Sequence, residues 1–348
     1  MTTTAGEPAL SIRKKLLFLA IIALLSILMV EAASQAALRV AYGRRLTEAE
    51  RLNDYDPLLG WVNISNRRAV DRYGPNKTTT QNAMGLRATR EYTAAIPAGR
   101  YRITFLGDSF TYGVNADDAG TYPARMESLA PSIESVNMAV AGYGIDQMYL
   151  SYMRDGGRLD TNLLVLAFIG DDLRRMKQSG FLVQNPKPRL FLNGDRLTVA
   201  NVPVPTWGLA ARRGWLHELP NSLASVQIAR SIYDLFVQDY DPVPLAERVF
   251  SELNKATAAK HQRFAVVYLP ARTDLDQPLP AARALQQSAA RDHIPFFDLT
   301  LAFNDAQARD PVPLFGKDVH YSDAGYGVIA AVLLKDLRDT FPDVPRGE

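Results

Sequence analysis

No cysteine occurs among the 348 residues of this chain. Disulfides, thiolate metal sites, a cysteine nucleophile and a lipid-modified cysteine are therefore excluded. Histidine is scarce as well, and its four positions show no metal-ligand spacing: His217, His261, His293 and His320. We expect neither a metal nor an organic cofactor. A strong charge of one sign is also missing, because the net charge is only +2. Such a balance gives no basic field for nucleic acid, which we exclude as a partner.

One long apolar run stands near the N-terminus. Leu16 to Val30 carry no charge, and Arg13-Lys14-Lys15 precede them. A cleaved signal peptide would explain this run, since Ser34-Gln35-Ala36 satisfies a small-x-small cleavage rule. Helix-forming residues continue to Tyr42, however, which extends the run toward the roughly 20 residues that cross a bilayer. We favour an uncleaved signal anchor over residues 14–38, with residues 1–13 in the cytoplasm and the rest outside it.

Beyond residue 100 the sequence alternates between short apolar runs and helical patterns. Apolar runs predict five strands: Arg102 to Leu106, Glu134 to Met138, Leu163 to Ile169, Phe264 to Leu269 and Ile294 to Leu299. Helices are predicted between them, with a last one from Ala324 to Asp336. Strands that alternate with helices in this way form a parallel sheet covered by helices on both faces. Hydrophobic residues make up 47% of the chain, which is enough for a large core.

A serine follows the first of these strands. Gly107-Asp108-Ser109 stands where an open parallel sheet presents its ligand site, beyond the carboxyl end of a strand. An ordinary strand-to-helix turn would use the same residues. Asp318 and His320 favour a catalytic role for Ser109, because residues two apart in an extended segment point to the same side. An acid can then orient the imidazole that deprotonates the serine, which is otherwise a weak nucleophile.

Four blocks of this sequence together resemble the GDSL or SGNH hydrolase family. They are Gly107 to Thr111, Asn137 to Gly142, Gly170-Asp171-Asp172 and Asp318-Val319-His320. Leu59-Gly60-Trp61 and Asn82 to Arg87 resemble the leader of membrane-anchored bacterial relatives. For Trp61 we favour packing of this leader onto the domain over stacking on a sugar. The resemblance implies a three-layer α/β/α flavodoxin-like fold with a catalytic triad of Ser109, His320 and Asp318. It also implies an oxyanion hole at Ser109, Gly142 and the position of Asp171.

Asp171 departs from the pattern of that family, which has an asparagine at this position. An ionised carboxylate accepts hydrogen bonds but does not donate them, so it cannot replace an amide toward an oxyanion. Either Asp171 is protonated, or the backbone N–H groups of Ser109 and Gly142 act without it. Losing one oxyanion donor typically costs about a hundred- to a thousandfold in rate.

The resemblance divides the remaining chain into an N-terminal extension over residues 39–100 and a hydrolase domain over residues 101–348. Residues 174–244 interrupt the domain as an insertion that either overhangs the site or only decorates the surface. Three functions stay open for an acylated small-molecule or carbohydrate substrate. The first is a serine esterase that forms an acyl-enzyme and acts on an envelope carbohydrate. Such an enzyme is expected in the periplasm or at the cell surface, or secreted if the helix is cleaved. The second is an O-acyltransferase, and the third is a non-catalytic glycan-binding module.

Overall fold

The computed structural model describes residues 11–42, 50–181, 185–205, 223–234 and 241–346. Helices in these ranges are α1 (Ile12–Tyr42), α2 (Ser109–Tyr112), α3 (Tyr122–Leu129), α4 (Ile145–Asp155), α5 (Gly170–Met176), α6 (Ala224–Ile232), α7 (Val243–Ala258), α8 (Pro280–Arg291), α9 (Thr300–Arg309) and α10 (Asp323–Thr340). Strands are β1 (Asn53–Asp56), β2 (Gly60–Asn63), β3 (Arg67–Val70), β4 (Thr78–Gln81), β5 (Tyr101–Leu106), β6 (Ile133–Asn137), β7 (Leu163–Phe168), β8 (Gly180–Phe181), β9 (Asn185–Pro186), β10 (Arg189–Asn193), β11 (Arg196–Ala200), β12 (Arg263–Tyr268) and β13 (Phe296–Asp298).

Five parallel strands form the central sheet in the order β6-β5-β7-β12-β13. Numbered along the chain, this is the flavodoxin-like order 2-1-3-4-5, and the order reverses beside β5. The predicted fold class is therefore confirmed. Each predicted strand is present, because continuous β-branched and aliphatic runs suit strands that are buried on both faces.

Alternate residues of the strands supply the two halves of the core. Along β7, Leu163, Val165 and Ala167 face the layer of α3, α9 and α10, where Met126, Phe303 and Leu333 are buried. The intervening Leu164, Leu166 and Phe168 face α4, α7 and α8, and pack with residues such as Met148 and Phe250. Strand side chains alternate between faces, so one apolar run serves both layers. The sequence did not predict the bounds of helix α9. At the start of this helix, Asp298 accepts a hydrogen bond from Thr300 N at 2.9 Å.

The N-terminal extension forms two antiparallel hairpins, β1-β2 and β3-β4. It is bound to the domain by buried polar contacts. Asn63 Nδ2 donates to Ala139 O at 3.1 Å, and Tyr143 OH donates to Trp61 O at 2.6 Å. The Trp61 ring is buried against Tyr143 and Phe181. Trp61 therefore packs the extension onto the domain.

The insertion is described in part, because residues 206–222, which include His217, lie outside the described ranges. Asn193-Gly194-Asp195 predicts a hairpin, and the structure has β10 paired with β11 around Gly194. Lys187 ties this segment to α4 through a fully buried ion pair with Asp146. Burial raises the pKa of Asp146 and lowers that of Lys187, and each charge stabilises the other.

Helix α1 is long and apolar enough to cross a membrane, judged by length and composition. It begins at Ile12, two residues before the predicted anchor, and continues through Ser34-Gln35-Ala36 to Tyr42. Helix α6 of the insertion packs against α1. The Glu31 carboxylate accepts hydrogen bonds from the first two N–H groups of α6, Ala224 N at 2.8 Å and Ser225 N at 3.1 Å. The side chain of Glu31 therefore caps a helix that lies 193 residues later in the chain.

Candidate active site

Gly107 and Asp108 connect β5 to Ser109, at the point where the strand order of the sheet reverses. Ligand sites of open α/β sheets lie at such points, because the connections leave in opposite directions and open a crevice. Asp108 caps the short helix α2 by accepting a hydrogen bond from Phe110 N at 2.8 Å. Ser109 is therefore the first residue of a helix, and its side chain is 8% exposed at the floor of a groove.

His320 and Asp318 complete a chain of hydrogen bonds with Ser109. His320 Nε2 lies 2.9 Å from Ser109 Oγ, and His320 Nδ1 lies 3.0 Å from Asp318 Oδ2. If Nδ1 carries the proton and donates it to the carboxylate, Nε2 is free to accept from the serine hydroxyl. The arrangement can then move a proton from Ser109 to His320 while Asp318 holds the imidazole.

The segment of Asp318 and His320 is a bend, whereas the sequence predicted an extended segment. Asp318 Oδ1 accepts a hydrogen bond from His320 N at 3.1 Å, which is the short-range turn that aspartate favours. The bend is closed at its base, where Gly316 N donates to His320 O at 2.8 Å. Arg272 donates to Gly316 O at 2.9 Å from outside. Two side chains that are two residues apart therefore meet through a turn rather than through a strand.

Asn115 is a further member of this network that the sequence did not reveal. Its Nδ2 donates to Asp318 Oδ1 at 2.6 Å, and its backbone has a positive φ of 71°. Partial burial raises the pKa of Asp318, but the hydrogen bonds from His320 and Asn115 outweigh it, and the pKa lies below its ordinary value. Asp318 therefore stays ionised at pH values where an ordinary aspartate begins to bind a proton.

Gly142 lies in a tight turn beside Ser109. Tyr143 N donates to Val140 O at 3.2 Å, and Gly142 occupies the third position with a φ of 85°, which favours glycine. Trp61 Nε1 donates to Ala141 O at 3.0 Å and holds the turn from the extension. Within the described ranges, the N–H groups of Ser109 and Gly142 donate to no acceptor. Both belong to residues that line the groove, so both are available to an incoming oxyanion.

Asp171 lines the same groove but is exposed, and its carboxylate lies 3.2 Å from Arg174 Nε. It therefore accepts a hydrogen bond in this structure. Asp172 is buried beneath it and shares the guanidinium of Arg175 with Asp108, which lies 2.9 Å from Arg175 Nη1. Burial and the nearby charge of Asp108 raise the pKa of Asp172. One arginine thus compensates two carboxylates directly below the serine.

The groove above Ser109 has a volume of about 1370 Å³ and is lined by aromatic and by charged side chains. The extension supplies Trp61 and Tyr73, the insertion supplies Phe181, and the domain supplies Ser109 and His320. Among the described residues, no group of three His, Asp or Glu side chains could hold a metal ion.

The family model of the GDSL-like lipase/acylhydrolase family matches residues 105–328. None of the curated proteins matches the sequence. Solved structures with a similar fold include a lipolytic protein of the G-D-S-L family from Veillonella parvula, at 12% identity, a TM-score of 0.42, and coverage of 70% of this chain and 99% of that one. A catalytic mutant of an acetylxylan esterase from Geobacillus stearothermophilus is similar at 15% identity and a TM-score of 0.42, over 68% of this chain and 94% of that one.

The contact between Asn115 and Asp318 can be tested by titration. In an Asn115→Gly variant, which keeps the positive φ but removes the amide, we expect the pKa of Asp318 to rise because the ionised carboxylate loses a donor. The His320–Asp318 hydrogen bond would then be lost at a higher pH as the solution is acidified. Carbon-13 NMR of labelled aspartate carboxyls measures this pKa. Asn66→Gly, another asparagine with positive φ, should leave it unchanged, and an unmoved pKa in both variants would contradict the assignment.

Proposed function

This chain belongs to the GDSL-like lipase/acylhydrolase family, and on that premise we propose that it is a serine esterase with the triad Ser109, His320 and Asp318. The observation that carries the proposal is the unbroken chain of hydrogen bonds from Ser109 Oγ through His320 to Asp318, at 2.9 Å and 3.0 Å. A serine hydroxyl becomes nucleophilic when an oriented base receives its proton. The substrate we propose is an O-acyl ester of a carbohydrate of the cell envelope.

In the proposed reaction, Ser109 Oγ attacks the carbonyl carbon of the ester as His320 Nε2 takes its proton. The tetrahedral intermediate collapses, and His320 returns the proton to the leaving alcohol, which leaves the acyl group on Ser109. Water then attacks the acyl carbon as His320 Nε2 takes one of its protons, and the second tetrahedral intermediate collapses with cleavage of the bond to Ser109 Oγ. His320 gives the proton to Ser109 Oγ, and the carboxylic acid leaves. Asp318 stabilises the imidazolium during both steps and keeps its tautomer.

The backbone N–H groups of Ser109 and Gly142 receive the oxyanion in this proposal. Both N–H groups lack an acceptor within the described ranges, whereas the Asp171 carboxylate already accepts from Arg174. Asp171 therefore lines the groove and does not donate a hydrogen bond to the oxyanion. With two donors instead of three, the site has less electrostatic stabilisation than a site that retains the asparagine.

An O-acyltransferase is the second candidate, since a groove of about 1370 Å³ has room for a sugar acceptor beside the acyl-enzyme. Pockets for single small ligands are usually about 300–1,000 Å³. In this variant of the mechanism, a sugar hydroxyl replaces water in the second step. The third candidate, a binding module without catalysis, is less compatible with a serine and a histidine at 2.9 Å.

For location we propose that α1 remains attached as a membrane anchor and that the domain is extracytoplasmic. Cleavage after Ala36 would remove Glu31, whose carboxylate caps α6. The first N–H groups of α6 would lose their acceptor, and such caps contribute about 1 kcal/mol to stability. The basic residues before the span favour a cytoplasmic N-terminus. On this proposal the substrate is reached in the periplasm or at the cell surface.

Covalent labelling tests the proposed nucleophile. A fluorophosphonate should modify the full-length protein at Ser109 alone, and Ser109→Ala should abolish labelling. His320→Ala should slow labelling and ester hydrolysis by several orders of magnitude, because the general base is lost; single triad deletions can cost about 10⁶-fold. Peptide mapping and hydrolysis of 4-nitrophenyl acetate provide the measurements.

Ser128→Ala and His293→Asn, both at exposed positions, are the matched controls and should behave as wild type. A folded wild-type protein that fails to label would favour the binding module. Product analysis with and without an added sugar separates the other two candidates: free acid indicates an esterase, and an acylated sugar indicates a transferase.

The oxyanion hole can be tested with a pair of glycines. Gly142→Ala should lower kcat by about a hundred- to a thousandfold, because the new methyl would meet Phe181 Cε1 at 2.7 Å and displace the donor. Gly99→Ala has a similar positive φ of 74° but no atom within 4 Å of the added methyl. It should cost about 1–2 kcal/mol of stability and leave kcat unchanged. Wild-type kcat in Gly142→Ala would rule out this N–H as a donor.

Retention of the anchor is tested by the mass of the mature protein. Full-length protein with a C-terminal tag should stay in the membrane fraction after a carbonate wash and should yield peptides from α1. Recovery of a soluble chain that begins near Ala37 would show that α1 is a cleaved signal peptide.

A further inference from the structure

Charged side chains line the groove around Ser109, and most of them have partners. Arg51 lies 3.5 Å from Asp54, Arg174 lies 3.2 Å from Asp171, Arg175 is paired with Asp108 and Asp172, and Arg272 donates to Gly316 O at 2.9 Å. The acids of the groove are also engaged, for Asp274 accepts from Tyr268 OH at 2.6 Å and Asp318 from Asn115 and His320. These contacts satisfy the charges within the protein itself.

Arg72 is different from these residues. Of the charged side chains that line the groove in the described ranges, it is the one with neither an ion pair nor a hydrogen bond. Its guanidinium lies 5.2 Å from the centre of the Tyr73 ring, and its Nε–H is buried without an acceptor. An arginine offers five N–H donors in a planar fork that matches a carboxylate or a phosphate. Within the described ranges, no carboxylate therefore pairs with the guanidinium of Arg72.

The loop that carries Arg72 is fixed relative to the catalytic serine. It connects β3 and β4, and the edge of its Tyr73 ring packs on Tyr112 of helix α2, with 6.3 Å between ring centres. At the far end of the loop, Lys77 Nζ donates to the carbonyl of Asn115, the residue that holds Asp318. Both ends are therefore attached to elements of the site. The position of Arg72 in the groove wall is set by the same residues that position the triad.

We propose that Arg72 binds an oxyanion of the substrate, so that the ester cleaved at Ser109 belongs to an anionic carbohydrate. This inference rests on the proposed function and specifies its substrate class. The anion is either a carboxylate, as in a uronic acid, or a phosphate, and both fit a planar fork of donors. A groove of about 1370 Å³ that also contains Trp61, Tyr73 and Phe181 has room for the sugar itself between the anion site and the ester.

Three matched esters test the proposal. The 3-O-acetyl esters of glucose, glucuronate and glucose 6-phosphate differ only at carbon 6, as hydroxymethyl, carboxylate and phosphate. We expect the full-length enzyme to have a kcat/KM about ten- to a hundredfold higher for one or both anionic esters than for the neutral one, because a charged hydrogen-bonded pair forms. The better anionic ester identifies the source of the oxyanion. Added salt should reduce the preference.

Variants of Arg72 show whether this side chain causes the preference. Arg72→Gln should remove it by lowering kcat/KM for the anionic esters alone, while Arg72→Lys should keep part of it as a point charge. Arg51→Gln removes a paired cation from the same groove and should keep the preference in full. Equal kcat/KM for all three esters in the wild type, or an equal loss for all three in Arg72→Gln, would overturn the inference.

Failure of the proposed function would look different. A protein that neither turns over any of the three esters nor labels at Ser109 contradicts the serine esterase itself, and with it the role of Arg72. If Ser109 labels but no ester turns over, glucuronate or glucose 6-phosphate should still slow labelling more than glucose does. Equal slowing by all three sugars in that case contradicts the oxyanion site.

Discussion

The reversal of strand order beside β5 is the constraint on which the site depends. Because β6 lies on one side of β5 and β7 on the other, the connections that follow β5 and β7 leave in opposite directions. Ser109 begins the first helix after β5 and Gly170 the first helix after β7, and both residues line one groove. The bend that carries Asp318 and His320 comes from the C-terminal part of the chain and lines the same groove. Hydrogen bonds from Asn115 to Asp318 and from Arg272 to Gly316 hold this bend in place.

The proposed nucleophile and part of the groove wall come from different parts of the chain. The family model begins at residue 105, so the matched region contains Ser109, Asp318 and His320 of the proposed triad but not the N-terminal extension. That extension nevertheless supplies Trp61, which holds the turn of Gly142, and Tyr73 and Arg72, which form a wall of the groove. On the proposed function, a change in this extension would alter the groove wall and leave the proposed triad in place. The extension is part of the site in a physical sense, because removing it would leave the turn of Gly142 without the Trp61 hydrogen bond.

Local sequence patterns predicted the features that depend on neighbouring residues. Leu163 to Phe168 is apolar throughout, which predicted a strand buried on both faces. Ser109 and His320 belong to sequence blocks that resemble those of the family. The contacts that the sequence did not predict join distant residues: Asn115 with Asp318 are 203 positions apart, and Arg175 with Asp108 are 67 apart. The residue types in a turn do not determine which distant carboxylate a side chain of that turn will contact. The bend at Asp318 was missed for a related reason, since a spacing of two suits both a strand and an aspartate turn.

The hydrogen bond between Ser109 and His320 spans 211 positions of the chain. Ser109 is therefore synthesised long before His320. Until His320 is made, the growing polypeptide contains the strand and turn of Ser109 but not the proposed base. On the proposed function, Ser109 becomes reactive only after His320 has been synthesised and has reached it. On the proposed function, a fragment that ends in the insertion lacks the base and does not hydrolyse esters. The separation of the two residues thus makes the proposed catalysis depend on the synthesis of residue 320.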